Sequence, residues 1–334
     1  MEKMTAVTSL LIAMGAILML FSIFKYQRIK RQAKELITDT NRHIIWMNRF
    51  HQVAILFFFL GYIFVLLALL ADIQIIGEFI IGLIFFFGAI FVLFGIFVQS
   101  NMLSSIQQQT EAILKNNEQL AQTKQVTIYA LAYQAEIRDQ ETGKHLDRTS
   151  EYVRILAEEL AVLPEYQGYL SLDYINDLVN SAPLHDIGKV GIPDSVLLKP
   201  GKLTNDEFEI IKKHCELGAD VLTKAEEKLD FQSFLRIAVQ LVNSHHEKWN
   251  GQGYPKGLKD NMIPISARIM SLADVYDALR SERCYKKAFS HEKACEIIKE
   301  DKGTHFDPVV VDCFLNVEKK FHHVSEILAD TVTN

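Results

Sequence analysis

The sequence predicts an all-α chain in three parts: three N-terminal transmembrane helices, a connector helix and a helical C-terminal domain. Three observations predict it. Long apolar runs are confined to the first hundred residues. A polar stretch without Pro or Gly, Gln99–Lys124, follows them. From about Val126 onward, apolar residues recur at three- and four-residue spacing and alternating strand patterns are scarce. The boundaries read as 1–98 for the membrane region, 99–125 for the connector, 126–324 for the C-terminal domain and 325–334 for a tail.

The first element of that order is the membrane region. Its apolar runs cover about 5–24, 53–71 and 79–98, each near the 20 or so residues that cross a bilayer. The last two contain no Lys or Arg, and Asp72 and Glu78 lie in the turn between them. Lys25, Arg28, Lys30, Arg31, Lys34, Arg42 and Arg49 crowd the segment after the first run, and short Lys/Arg-rich loops stay in the cytoplasm. The expected arrangement is therefore multi-pass, with the N-terminus outside, everything after Val98 inside and the lipid bilayer as a partner. A cleaved signal peptide fits less well, because Glu2 cancels Lys3 and no A-x-A-like site follows the first run.

In the connector, Ile106, Ile113 and Leu120 recur every seven residues, while the intermediate core positions Gln109, Asn116 and Thr123 are polar. That pattern predicts a loosely paired helix and hence a homodimer through the connector. Charge separates the two halves of the chain. Residues 1–100 carry eight Lys/Arg and five Asp/Glu, and the remainder carries 27 and 36. An acidic domain is a poor nucleic-acid binder on bulk charge, so no DNA partner is expected. An anionic ligand would need local positive charge, which bound metal ions supply. Cys215, Cys284, Cys295 and Cys313 show no CxxC spacing and read as reduced thiols in a packed core.

The C-terminal domain holds the chemistry. Five histidines and three acidic residues punctuate it: Glu141, His145, His185, Asp186, His214, His245, His246 and Asp274. Imidazole and carboxylate are ligands for divalent iron, manganese and zinc. Eight exceed what one four-coordinate zinc can use, so the set predicts two or three metals, an arrangement that cuts phosphate esters. Taken singly, several have plainer readings. Glu141 and His145 could be a surface i,i+4 pair, and His214 a solvated histidine after two lysines.

The surrounding residues sharpen the reading. His185-Asp186 is followed by Ile187-Gly188-Lys189, where Gly188 and Gly191 permit close backbone approach and Pro193 stops a helix. Lys189 offers a point charge for a phosphate oxygen. His245-His246 leads into a Gly-rich loop with Trp249, Gly253, Tyr254 and Pro255, whose rings are placed to stack on a base or simply to pack. Asp274 sits in an apolar run and needs a partner, either a metal or Arg268. Asp277, three residues on, would support it. Arg283 and Lys286 read as phosphate clamps or as a solvated basic face.

The ordered set ETGKH, HDIGKVGIPD, HHEKWNGQGYP, ARIMSLADVYDAL, SERCYKKA and THFDP resembles the HD-GYP family over roughly Val126 to Val324. The resemblance implies an all-helical metallohydrolase domain that hydrolyses the bacterial second messenger cyclic di-GMP to pGpG or GMP with two or three iron or manganese ions. It assigns His145, His185, Asp186 and Asp274 as ligands common to HD hydrolases, and His214, His245 and His246 as ligands of a further metal. Glu141 matches a carboxylate accompanying a third metal. Lys189, Arg283 and Lys286 match phosphate contacts, and Gly253, Tyr254 and Pro255 the substrate loop. The implied catalytic residues are Asp186, flanked by metals that share an attacking hydroxide, and Lys189. Glu282, Cys284 and Arg280 depart from the family pattern and bear on substrate preference. Together with the apolar runs and the Lys/Arg-rich loop, the expected location is the bacterial inner membrane, with the catalytic domain in the cytoplasm and coupled to a membrane input. Two alternatives remain: a non-catalytic cyclic di-GMP receptor, and an enzyme for another cyclic dinucleotide such as cyclic GMP-AMP.

Overall fold

A computed structural model of the chain describes residues 13, 14, 16, 17, 20, 21, 23, 24, 42–71, 78–138, 143–282 and 288–329. The chain divides into two compact units, Met1–Glu118 and Gln119–Asn334. Among the described residues there is no strand, and the one β-bridge, between Lys302 and Phe306, stands alone.

In the first unit, α1 (Arg42–Leu70) and the N-terminal part of α2 (Glu78–Arg138) share an aromatic seam. Phe50 meets Phe94 at 4.6 Å between ring centroids, Phe58 meets Phe91 at 5.4 Å and Phe57 meets Phe87 at 5.9 Å, all edge-on. Such offset geometries are the preferred ones for aromatic pairs. The seam covers one face of α1, while Val53, Leu60, Phe64 and Leu67 stay exposed.

No helix among the described residues is long and apolar enough to cross a membrane. This corrects the expectation of three transmembrane helices, and with it the multi-pass inner-membrane location, the outside N-terminus and the bilayer partner. The physical reason lies in what an apolar run reports. It shows that side chains leave water, and a neighbouring helix can receive them. Crossing also needs an unbroken apolar stretch of about 20 residues. The run at 5–24 lies largely outside the described residues. The connector belongs to α2, with Ile106, Ile113 and Leu120 exposed along it.

The second unit begins on the C-terminal part of α2, where Ile128, Ala132, Ala135 and Glu136 are buried at helical spacing. Next come α3 (Gly143–Ala161) and α4 (Leu172–Ser181), the latter capped by Ser171, whose hydroxyl accepts from the Tyr174 N–H. Two 3-10 turns, Ala182–Leu184 and Ile187–Gly191, flank His185-Asp186. They lead into α5 (Asp194–Leu197), α6 (Asn205–Lys212), α7 (His214–Glu226) and α8 (Leu235–Val242). Thr204 and Glu207 close a capping box at the start of α6. A loop then reaches α9 (Ile265–Arg280), α10 (His291–Glu300) and α11 (Pro308–Ile327).

The core of this unit is aromatic where α3, α9 and α11 meet. Tyr152 stacks on Phe321 at 4.4 Å and meets Tyr276 edge-on at 5.2 Å. Tyr152, Tyr276, Phe314 and Phe321 are fully buried. This packing fixes α3 against α9, and those two helices carry His145, Arg148, Asp274 and Asp277.

Candidate metal centre

Asp186 sits between the two 3-10 turns and gathers histidines from three elements. Its Oδ1 lies 3.1 Å from His214 Nε2 at the start of α7 and 3.6 Å from His245 Nε2 just after α8. Its Oδ2 lies 3.4 Å from His185 Nε2 and 2.6 Å from Lys189 Nζ. His246 joins the group, its ring centroid 4.0 Å from that of His245 and 5.2 Å from that of His214. Asp186, His214, His245 and His246 each offer an atom within 4.8 Å of the others, close enough to hold a metal ion.

Local chain geometry aims these rings. His185 Nδ1 donates to the Ala182 carbonyl at 2.9 Å, His214 Nδ1 to Ile211 at 2.7 Å and His245 Nδ1 to Val242 at 3.0 Å. A carbonyl can only accept, so each Nδ1 carries a proton and Nε2 is the atom each ring turns toward Asp186. Among the described residues, Nε2 of His185 and His245 is buried without a hydrogen-bond partner. Buried polar atoms are normally paired. Bare imidazole nitrogens converging on a carboxylate are donors that a divalent cation would satisfy, so the residues fit the metal implied by the sequence.

A second layer holds His145. Its Nδ1 meets Asp277 Oδ2 at 2.8 Å, and its Nε2 lies 3.8 Å from Asp274 Oδ1. Arg148 grips the Asp277 carboxylate with two bonds, Nε to Oδ1 at 2.6 Å and Nη2 to Oδ2 at 2.8 Å. Asp277 is thus a buried anion whose partners fix the tautomer and direction of His145, the outer support typical of metal ligands. Arg268 pairs with Asp307 at 2.5 Å, so of the two partners considered for Asp274 it is engaged elsewhere.

The electrostatics follow from burial and pairing. Burial alone would raise the Asp186 carboxyl, but Lys189, His185 and His214 hold it well below the usual range. His214 goes the other way: burial opposes its charge, yet the bond to Asp186 pushes its pKa up to about 10. Burial keeps His245 and His246 below their ordinary value, so they remain neutral, the form that ligates metal.

Two glycines allow the close packing. A Cβ on Gly188 would sit 1.9 Å from the His214 carbonyl oxygen, and one on Gly253 would sit 2.3 Å from the Lys248 amide nitrogen. Tyr254 reaches the centre from the loop, its ring 4.8 Å from that of His246, and its peptide bond to Pro255 is cis. Glu247 ties that loop down by accepting from the Lys256 N–H at 2.7 Å and the Leu258 N–H at 3.0 Å.

The structure therefore brings together His145, His185, Asp186, His214, His245 and His246, with Asp274 beside His145, Lys189 on Asp186 and Tyr254 against His246. Glu141, Arg283 and Lys286 lie outside the described residues. Three contributors escaped the sequence reading. Arg148 and Glu247 act through their partners, and Glu136 has its side chain 1% exposed beside His145 and His185. Burial pushes the Glu136 carboxyl up to about 7, with Asp186 adding to the effect. Its sequence signal is faint: it continues the Ile128, Ala132, Ala135 face by one position. A separate group, His291, Cys295 and Glu318, joins α10 to α11. There Tyr276 Oη bonds His291 Nδ1 at 2.9 Å.

Comparison with known proteins agrees with this geometry. The HD domain family matches residues 130–310, more than half of the chain. The chain belongs to the HD-domain family. A cyclic di-GMP phosphodiesterase of Vibrio cholerae serotype O1 is 53% identical over 221 residues, covering 66% of this chain and 45% of that protein. A probable cyclic di-GMP phosphodiesterase of the same organism is 49% identical over 220 residues, covering 65% and 50%. Its 3'3'-cGAMP-specific phosphodiesterase 2 is 39% identical over 211 residues, covering 63% and 38%. The chain spans half or less of the length of each of these curated relatives.

Proposed function

We propose that this chain is an HD-GYP-type phosphodiesterase that hydrolyses cyclic di-GMP to linear pGpG or GMP. One observation carries the reading: Asp186 and four histidines from three segments of the chain, with His145 beside them, converge on one centre. Relatives 49–53% identical and named for cyclic di-GMP hydrolysis support it.

When bound, two or three divalent ions, iron or manganese, would lower the pKa of a coordinated water and polarise phosphoryl oxygens. The ligands in this reading are His145, His185, Asp186, His214, His245, His246, Asp274 and Glu141. Asp277 and Arg148 keep His145 aimed. Lys189, 2.6 Å from Asp186, sets positive charge at the edge of the site, where it can face a phosphate oxygen as well. Tyr254, Gly253 and Pro255 form the wall that meets the nucleotide, and Arg283 and Lys286 contribute phosphate contacts.

A second reading takes cyclic GMP-AMP as substrate, because a 3'3'-cGAMP-specific enzyme is among the relatives. One experiment separates the readings. The purified full chain is incubated with Mn²⁺ or Fe²⁺ and each dinucleotide, beside an Asp186→Ala variant. The expected result is conversion of cyclic di-GMP by the wild type, and loss of bound metal and of turnover in the variant with helical circular dichroism retained. Faster conversion of cyclic GMP-AMP would favour the second substrate. Tight binding without turnover would make the chain a receptor, and unchanged turnover in Asp186→Ala would remove Asp186 from the chemistry.

A further inference from the structure

Away from the Asp186 centre, α10 and α11 face each other with a second set of ligating side chains. On α10, His291 and Cys295 are four residues apart and share one face. Ser290 caps that helix by accepting from the Lys293 N–H at 3.2 Å, which fixes His291 in the first turn. On α11, Glu318 and His322 repeat the spacing. His291, Cys295 and Glu318 each offer a ligating atom within 4.8 Å of the others. The Cys295 sulfur lies 3.6 Å from His291 Nδ1 and 3.7 Å from Nε2. Ligands sharing one zinc ion stand about 3–4 Å apart, given bonds of about 2.0–2.3 Å, so a small closure of these side chains is enough.

The surroundings suit an ion. Tyr276, fully buried on α9, bonds His291 Nδ1 at 2.9 Å and leaves Nε2 as the ligating atom. A hydrogen bond to the far nitrogen is the usual support of a metal-bound imidazole. The His322 ring lies parallel to that of His291, 4.6 Å away between centroids. Among the described residues, its buried Nδ1 has no hydrogen-bond partner, so a fourth donor adjoins the other three. His291 and Cys295 are buried, whereas Glu318 is partly exposed and opens the cluster to water. The neighbouring cation, Arg280, is held by the Phe289 carbonyl at 2.7 Å.

We propose that His291, Cys295 and Glu318, with His322 beside them, form a zinc site that ties α10 to α11, apart from the Asp186 centre. A coordinated thiol loses its proton, so thiolate and carboxylate together balance the two charges of the ion. A soft sulfur ligand favours Zn²⁺ over Mn²⁺ or Fe²⁺, whereas the ligands gathered around Asp186 are imidazole and carboxylate. Through Tyr276 the ion would also brace α9, the helix that carries Asp274 and Asp277.

The test is Co²⁺ titration of the full chain, read by the thiolate-to-cobalt charge-transfer absorption in the near ultraviolet and followed by displacement with Zn²⁺. It compares the wild type with Cys295→Ser and Glu318→Gln. The expected result is a band in the wild type that Zn²⁺ abolishes. Cys295→Ser should lose the band, and Glu318→Gln should need at least ten-fold more Co²⁺ to half-saturate it. A wild type without the band would overturn the site. So would an undiminished band in Cys295→Ser, which would move thiolate ligation to another cysteine, such as Cys215 beside His214. If circular dichroism shows that Cys295→Ser does not fold, Glu318→Gln decides, and half-saturation at the wild-type concentration would overturn the site. A cluster that only packs the two helices together gives no such absorption.

Discussion

Single side chains in the centre are held by partners the sequence hides. Asp277 is the example: it accepts two bonds from Arg148 and one from His145 while almost fully buried. Burial works against its charge, but those bonds outweigh it and keep the carboxyl below the usual range. An Asp277→Asn variant keeps the shape but weakens the grip on Arg148 and allows His145 to present the wrong tautomer. Mn²⁺ affinity should drop about 10–100-fold, the range seen when outer partners of metal ligands are lost. Calorimetric titration giving the wild-type affinity would show that His145 needs no such support. The grouping of His185, His214, His245 and His246 was legible as a candidate from the motifs taken together, and the fold brings these rings to Asp186. Glu136 and Arg148 were not legible. Both sit on helices whose pattern reads as ordinary, and only the fold reveals that their side chains turn inward.

Elements meet at the centre through backbone, not only through side chains. The 3-10 turn Ile187–Gly191 lies so close to the start of α7 that a single added carbon at Gly188 would collide with the His214 carbonyl oxygen, a backbone atom that cannot swing away. Gly188→Ala should therefore cost at least about 3 kcal/mol, at the upper end of overpacking penalties. Chemical denaturation would measure it, and a loss below about 0.5 kcal/mol, the scatter of neutral surface changes, would contradict the close approach. Arg138, in the last turn of α2, braces the same turn: its guanidinium donates to the carbonyls of Lys189, at 3.2 Å, and Ile192, at 3.1 Å. The glycines and the helical spacing were readable in the chain. What receives an apolar face was not. The runs at 53–71 and 79–98 predicted helices, but lipid and a neighbouring helix satisfy the same side chains, and the Phe50–Phe94 and Phe58–Phe91 pairs show a neighbour among the receivers.

At the scale of the molecule, acid stability offers a further check. His305 is largely buried beside Phe306, and burial, helped by Lys248, brings its pKa down to about 4 from an ordinary 6.5. The folded form keeps the ring neutral, whereas the unfolded chain takes up a proton below pH 6.5. The unfolded state then holds more protons, so stability is lost as pH falls from about 6.5 to about 4, by at most about 3 kcal/mol. His305→Gln should flatten that part of the stability–pH curve, and an unaltered slope would place the loss in other groups.

The rings of His185, His214 and His245 each lean on a carbonyl three residues behind them. Their orientation is thus written into the main chain and does not wait for cargo. Stripping the ions with a chelator should leave the socket standing, and a fresh supply should recharge it without a lag, so that occupancy tracks the free ion concentration from moment to moment.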